Sequence, residues 1–274
     1  MLLKLLAPAL LLFSTGVALA QTSGVPPEEF NNTRRQAGDS IQVCFDRTSL
    51  GRPFDEAVAK ALGDALFLEV KIMEGFGGFP LTGDGFMDEL NLAMNNDCDM
   101  FMGVSVSPNT PLSDSFSITR PYATIPFVLA VKNPDWKRLG DIPKDQRLGT
   151  AIASMGEMNY ITWAQQRSKP DRWVRLPYAD PELMATRVLD GTIAGMILWQ
   201  PVLARLQAER PEAAALHIIA NDPIPDSETR VGALVSSRNG FLRSQIDQAI
   251  DALVADGTID GLLKQFGYKG HAGE

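Results

Sequence analysis

The sequence predicts an α/β protein of two lobes, each a mostly parallel sheet flanked by helices, joined by two hinge crossings. Three observations predict it. Strand-like and helix-like segments alternate from Asp39 to Val104 in a βαβαβ order, which implies a parallel sheet with helices on its faces. A second alternating unit begins after Lys132. A late apolar run, VGALVS at Val231–Ser236, then returns the chain to the first unit before two closing helices. The division that follows places residues 39–124 and 231–274 in lobe 1 and residues 125–230 in lobe 2.

The elements can be justified in order. Lys4, the apolar stretch Leu5–Leu12 and Ala18-Leu19-Ala20 have the charge, core and small-residue pattern of a signal peptide over 1–20. Residues 21–38 are polar and read as a loose N-terminal arm. DSIQVCF at Asp39–Phe45 is a strand whose carboxyl end carries Asp46-Arg47-Thr48-Ser49. Pro53 opens a helix with Phe54, Val58, Leu62 and Ala65 on one face. Phe67–Ile72 reads as the second strand, Phe86–Met94 as a helix and Cys98–Val104 as the third strand. The loop 74–85 holds five glycines and the apolar Phe76, Phe79 and Leu81; its role is left open between a lid, a partner surface and a loop packed on lobe 1.

In the second unit Arg147–Ile152 is a strand, and Ser154-Met155-Gly156-Glu157 is an S-x-x-E capping box that starts a helix running to about Arg167. Asp180-Pro181 starts the next helix and Gly191 ends it. Ala194–Trp199 is a strand, followed from Pro201 by a helix through Glu209. Leu242, Ile246, Ala249, Ile250 and Leu253 share a face of the penultimate helix, and Ile259–Phe266 is the last.

Composition bounds the function. The chain of 274 residues is 45% hydrophobic and 21% charged, as globular chains are, and its net charge of -8 opposes nucleic-acid binding. No later run reaches the length of a membrane span. Two histidines and two cysteines make a zinc site improbable. An oxidising compartment favours a Cys44–Cys98 disulfide, while their offset along two strands equally fits two buried thiols. No Ser elbow, Cys/His pair or phosphate loop is present, so the chain is read as a non-enzyme without a required cofactor. The adjacent acids Asp55 and Glu56 read as a solvated helix face.

The candidate site is a cleft at the carboxyl ends of strands, where open α/β sheets bind ligands. Asp46 and Arg47 end the first strand. Ser105 and Ser107 follow the third, and Arg120 precedes the first crossing, either pairing with a ligand carboxylate or making a surface ion pair. Ser154, Met155 and Gly156 offer helix-terminal N–H groups to an anion, with Glu157 opposing it. Trp199 either stacks on a flat ligand, with Gln200 hydrogen-bonding, or closes the lobe 2 core.

Phe54-Asp55, the stretch Gly103–Lys132 with S-x-S-P and Pro121-Tyr122, and the ending Leu234–Phe266 with Ala255-Asp256-Gly257-Thr258 resemble the type II periplasmic solute-binding proteins, bacterial extracellular family 3. The amino-acid receptors of that family carry an Arg after S-x-S/T-P and an Asp at the end of the lobe 2 strand. Here Pro108-Asn109-Thr110 and Trp199-Gln200 stand there, which disfavours an ordinary amino-acid ligand. Val43-Cys44, Cys98–Val104, Thr119–Tyr122 and Leu198–Pro201 resemble the quinoprotein-dehydrogenase-associated branch that includes a binder of pyrroloquinoline quinone (PQQ).

That resemblance implies a monomeric periplasmic protein closing on PQQ or another planar carboxylated molecule. It leaves two alternatives, an accessory protein docking on a periplasmic quinoprotein dehydrogenase or cytochrome without a small ligand, and an ABC-transporter receptor for another polar solute, with the ABC permease as its partner.

Overall fold

A computed structural model describes residues 36–74, 84–106 and 114–273. The proposed signal peptide, most of the N-terminal arm, Ser107 and nearly all of the glycine-rich loop lie outside the described residues. Among the described residues no helix is long and apolar enough to cross a membrane.

Lobe 1 starts as the alternation predicts: β1 (Ser40–Phe45), α1 (Arg52–Leu66), β2 (Glu69–Met73), α2 (Asp84–Asn96) and β3 (Met100–Ser105). β1 lies between β2 and β3 and is parallel to both, with Ser40 opposite Glu69 and Val43 opposite Met100. Phe67 is not in a strand. It caps α1 in the left-handed region at φ 56°, where its N–H bonds the Asp64 carbonyl, and its ring is 92% exposed. The buried stripe of α1 is Phe54, Asp55, Val58, Ala59 and Leu62, while Ala65 faces solvent.

The short β4 (Phe116–Ile118) leads to β5 (Ala123–Val131), the first crossing. Its first half pairs with the long return strand β10 (Glu228–Ser236), Thr124 opposite Arg230. Its second half pairs with β8 (Gly195–Trp199), Leu129 opposite Ile197. One nine-residue strand therefore belongs to the sheets of both lobes. β10 makes the second crossing, then runs antiparallel to β3 inside lobe 1.

Lobe 2 contains β6 (Arg147–Ala151), α3 (Met155–Gln165), β7 (Val174–Tyr178), α4 (Pro181–Leu189), β8, α5 (Gln200–Glu209) and β9 (His217–Ile219). β6 is parallel to β7 and β8. Helices α6 (Gly240–Ala255) and α7 (Thr258–Gln265) and the two-residue β11 (His271–Ala272) finish lobe 1. The predicted face of α6, Leu242 to Leu253, is buried against α1 and β10.

Cys44 and Cys98 form a disulfide with their Cα atoms 5.8 Å apart. The bridge packs under α2 with Leu90, Met94, Phe101 and Leu234, so the pair is both a covalent tie and part of the apolar core. In lobe 2 one face of the sheet holds Met184, Val188, Leu198 and Leu206, and the other holds Leu148, Tyr160, Trp163 and Trp173.

Candidate functional site

The two lobes meet where β1 ends. Asp46 shapes that corner: its Oδ1 accepts from the Thr48 N–H and the Thr48 hydroxyl, both at 2.7 Å, and its carbonyl accepts from the Ser49 N–H. Arg47 sits on the exposed side of the same loop. Beyond it, Leu50 packs on the lobe 2 core and Gly51 begins the turn into α1.

Asp55 follows one turn later and overturns the expectation of a solvated acid pair. Glu56 does face out, paired with Arg52 at 2.6 Å. Asp55 is rotated into the interior and is only 2% exposed. The spacing was present in the sequence: Asp55, Val58 and Leu62 stand at i, i+3 and i+7, on one helix face. The fully buried Tyr122 donates its hydroxyl proton to Asp55 Oδ1 at 2.6 Å. The same hydroxyl accepts from the Gly103 N–H at 3.1 Å, which fixes the direction of the phenol proton.

Burial drives the Asp55 pKa up to about 7 despite the Tyr122 hydrogen bond, and the nearby Glu56 charge adds to the rise. Tyr122 is held well above the ordinary phenol value, first by burial and then by the Asp55 charge. Tyr268, packed on Phe54, is pushed up to about 12 by burial and then by the Asp55 charge.

Two glycines frame the second carboxylate oxygen. Gly103 has φ +80°, and a Cβ there would lie 2.7 Å from Asp55 Oδ2. A Cβ on Gly51 would lie 3.4 Å from Oδ2 and 3.0 Å from the Trp199 ring. Trp199 reaches this spot from the end of β8 and packs on the cores of both lobes. Its indole Nε1 is buried without a hydrogen-bond partner among the described residues. Gln200 turns the other way: its Nε2 donates to the Gly267 carbonyl at 2.9 Å, tying α5 to the end of lobe 1, while its Oε1 is buried and unpartnered.

The lobe 2 wall is the turn from β6 into α3. Ser154 caps the helix, its Oγ accepting from the Glu157 N–H at 3.1 Å. Glu157 does not close the reciprocal half of the predicted box. Its Oε2 accepts instead from the N–H of Ala153 at 2.7 Å, steadying that residue at φ 59°, and its Oε1 accepts from Thr150 Oγ1 and Arg175. Arg175 therefore offsets the acid expected to repel an anion here. The Met155 and Gly156 N–H groups lie in the first turn, where a helix leaves its donors without intrahelical partners. Gly156 is required by packing, since a Cβ would come 2.8 Å from Ile197.

The structure thus brings the Asp46 loop and Trp199 to one interface, with Ser154, Met155 and Gly156 at the carboxyl end of the lobe 2 sheet. Ser105 is exposed at the end of β3, opposite Val231, and Ser107 lies outside the described residues. Arg120 points to the flank of lobe 1, where its Nη1 meets both oxygens of Asp251 at 2.9 and 2.8 Å. Among the described residues no group of His, Cys, Asp and Glu is placed to hold a metal ion.

No family model and no curated protein sequence matches the chain. Solved structures do. Substrate-binding domain 2 of Lactococcus lactis GlnP, in an open conformation, superposes with a TM-score of 0.65 at 16% identity, covering 85% of this chain and 97% of that one. The unliganded, open L-cystine solute receptor of Neisseria gonorrhoeae gives 0.61 at 20% identity over 87% of this chain and 95% of its own. An ancestral cationic amino acid solute-binding protein gives 0.61 at 18% identity over 83% and 95%. The fold is the two-lobed periplasmic-binding-protein fold. In the periplasmic-binding-protein frame, β5 and β10 are the connections between lobes, and the Asp55 and Trp199 neighbourhoods face each other across the junction. The neighbours' names lend no support to a PQQ or quinoprotein branch.

Proposed function

We propose that the chain is a solute receptor that captures a small polar molecule between its lobes and serves an ABC-type permease outside the cytoplasm. The observation that carries this reading is a polar group left unsatisfied where the lobes meet: the Trp199 indole donor from lobe 2, buried without a partner among the described residues and set against Gly51 of lobe 1. A buried polar atom without a partner costs free energy, so a protein that keeps one at an inter-lobe junction is suited to a ligand that satisfies it. The first-turn N–H groups of α3 add donors for a ligand anion.

The two long strands β5 and β10 suit hinge motion, because each lobe keeps its own core while the shared strands flex. The names of the structural neighbours support the same reading: two are receptors or binding proteins for amino acids or cystine, and one is a substrate-binding domain. The Cys44–Cys98 bridge fits an oxidising compartment such as the periplasm. Nothing in the reading assigns the chain a catalytic step.

A PQQ ligand asks for a free indole face at Trp199 and a free guanidinium at Arg120; the first is packed at the lobe junction and the second is bound to Asp251. The receptor reading is therefore preferred over the quinone reading and over docking on a dehydrogenase. Native mass spectrometry of the chain mixed with amino acids, polyamines, dicarboxylates and PQQ tests it. A single stoichiometric adduct is expected. No adduct with any of these classes contradicts the proposal.

A further inference from the structure

A pocket of about 430 Å³ opens on the flank of lobe 2, between α3 and the start of β7, a volume in the range of small-molecule sites. Its floor is apolar, with Tyr160, Ile161 and Ala164 on one side and Trp173 and Val174 on the other. Val174 is 55% exposed, so the floor reaches water as bare hydrocarbon. The rim is basic, with Lys169, Arg172 and Arg175. This is not the junction of the lobes. Val174 pairs with Arg147 at the amino ends of β7 and β6, whereas the Ser154 turn follows Ala151 at the carboxyl end, about 13 Å further along the strand.

The three cations differ in what holds them. Arg175 is bound to Glu157. Arg172 is half-buried, and its Nη1 donates to the Ala164 carbonyl at 3.3 Å. Among the described residues neither Arg172 nor Lys169 forms an ion pair, and Asp171 between them accepts instead from the Ser168 hydroxyl at 2.5 Å. No anion on the floor balances them. The Tyr160 hydroxyl donates to the Trp173 carbonyl, and burial pushes its pKa up to about 12 against the pull of the Arg172 and Arg175 charges. The surplus is local: the chain carries a net charge of -8, yet residues 144–175 hold six Lys and Arg against three Asp and Glu.

A half-buried guanidinium without a counter-charge suits an anion, and the hydrocarbon beside it suits an apolar body. We propose that this pocket is a second binding site, for a small amphipathic anion. Its carboxylate or sulfonate is held by Arg172 and Lys169, and its apolar body lies along Ile161 and Val174. The site asks nothing of hinge motion and stands apart from the solute captured between the lobes.

NMR titration of the isotope-labelled full chain with phenylbutyrate, and with phenylbutanol and phenylbutylamine as neutral and cationic probes of the same body, tests it. Phenylbutyrate is expected to saturate one site, with shifts concentrated in residues 160–165 and 169–175. It binds about tenfold or more tighter than the alcohol, as a charge-assisted hydrogen bond provides, and the amine binds weakest. Added salt weakens the acid and not the alcohol. K169Q/R172Q, whose thermal melt checks folding, removes the advantage of the acid over the alcohol. The probe comparison and the salt dependence need no variant.

No saturation by phenylbutyrate, equal binding of all three probes, or an acid affinity unmoved by K169Q/R172Q overturns the proposal. Shifts confined to the surroundings of Trp199 also overturn it, since they place the anion at the lobe junction, and they leave the receptor reading standing.

Discussion

The Tyr122 hydroxyl sits between Gly103 and Asp55, accepting the Gly103 N–H at 3.1 Å and donating to the Asp55 carboxylate at 2.6 Å. One phenol thus links the first crossing to β3 and to the first turn of α1. Y122F removes the donor and leaves a buried carboxylate oxygen unpaired, which costs about 1–3 kcal/mol. Urea unfolding at pH 5 and pH 8 measures it, and the loss is expected to be larger at pH 8, where the carboxylate is charged. Equal losses at both values would mean that the hydrogen bond does not depend on the Asp55 charge.

Asp55 itself makes stability depend on pH in a known direction. Its folded pKa of about 7 lies above the unfolded carboxylate value of 3.8, so between the two the folded chain binds the extra proton. The stability this confers is complete below the unfolded value and is lost as pH rises through about 7. D55N lacks the dependence. The melting temperature of D55N minus that of wild type should climb between pH 5 and pH 8.5, and a flat difference would contradict the burial of Asp55.

Gly103 and Gly51 separate two effects at one site. G103A puts a side chain at φ +80° and 2.7 Å from Oδ2, for a destabilisation of about 1–2 kcal/mol or more within lobe 1. G51A meets the Trp199 ring at 3.0 Å, across the lobe junction. It is expected to cost about 1–3 kcal/mol of stability, the range for adding a methyl to a packed contact, while red-shifting tryptophan emission as the ring is displaced toward water. Unchanged emission in G51A would show that the junction does not depend on this contact.

The disulfide closes a loop between residues 54 positions apart, which by the chain-entropy relation stabilises the fold by about 4 kcal/mol. Reduction, or the C44S/C98S double variant, should lower the urea midpoint accordingly and loosen α2 first, since the bridge is packed beneath it. Hydrogen exchange that is unchanged in α2 after reduction would contradict that placement.

The order of elements was legible because long amphipathic stripes such as Leu242–Leu253 admit one helical reading. Short strands were not. β7 is five residues with Pro177 inside, β9 is three, and neither shows an alternation that separates it from loop. The ends of β1 and β8 were legible as strand ends followed by polar or aromatic residues, and the structure brings them to the junction of the lobes, but side-chain direction was not legible: Gln200 reaches the Gly267 carbonyl and Arg120 reaches Asp251. Asp55 was passed over because two adjacent acids suggest a wet face, although its spacing to Val58 and Leu62 marks it as inward. Arg175 could not be foreseen as the partner of Glu157, since β7 itself was not recognised and only the β6–β7 pairing brings them together.

Trp199 packs on the cores of both lobes, so under the proposed capture its fluorescence is the most direct reporter. Titrating wild type and W199F with the solutes used in the mass-spectrometric screen separates its signal from those of Trp136, Trp163 and Trp173. Capture between the lobes requires a saturable emission change in wild type that is absent in W199F. No saturable change with any of these solutes, or an identical change in W199F, would contradict capture between the lobes.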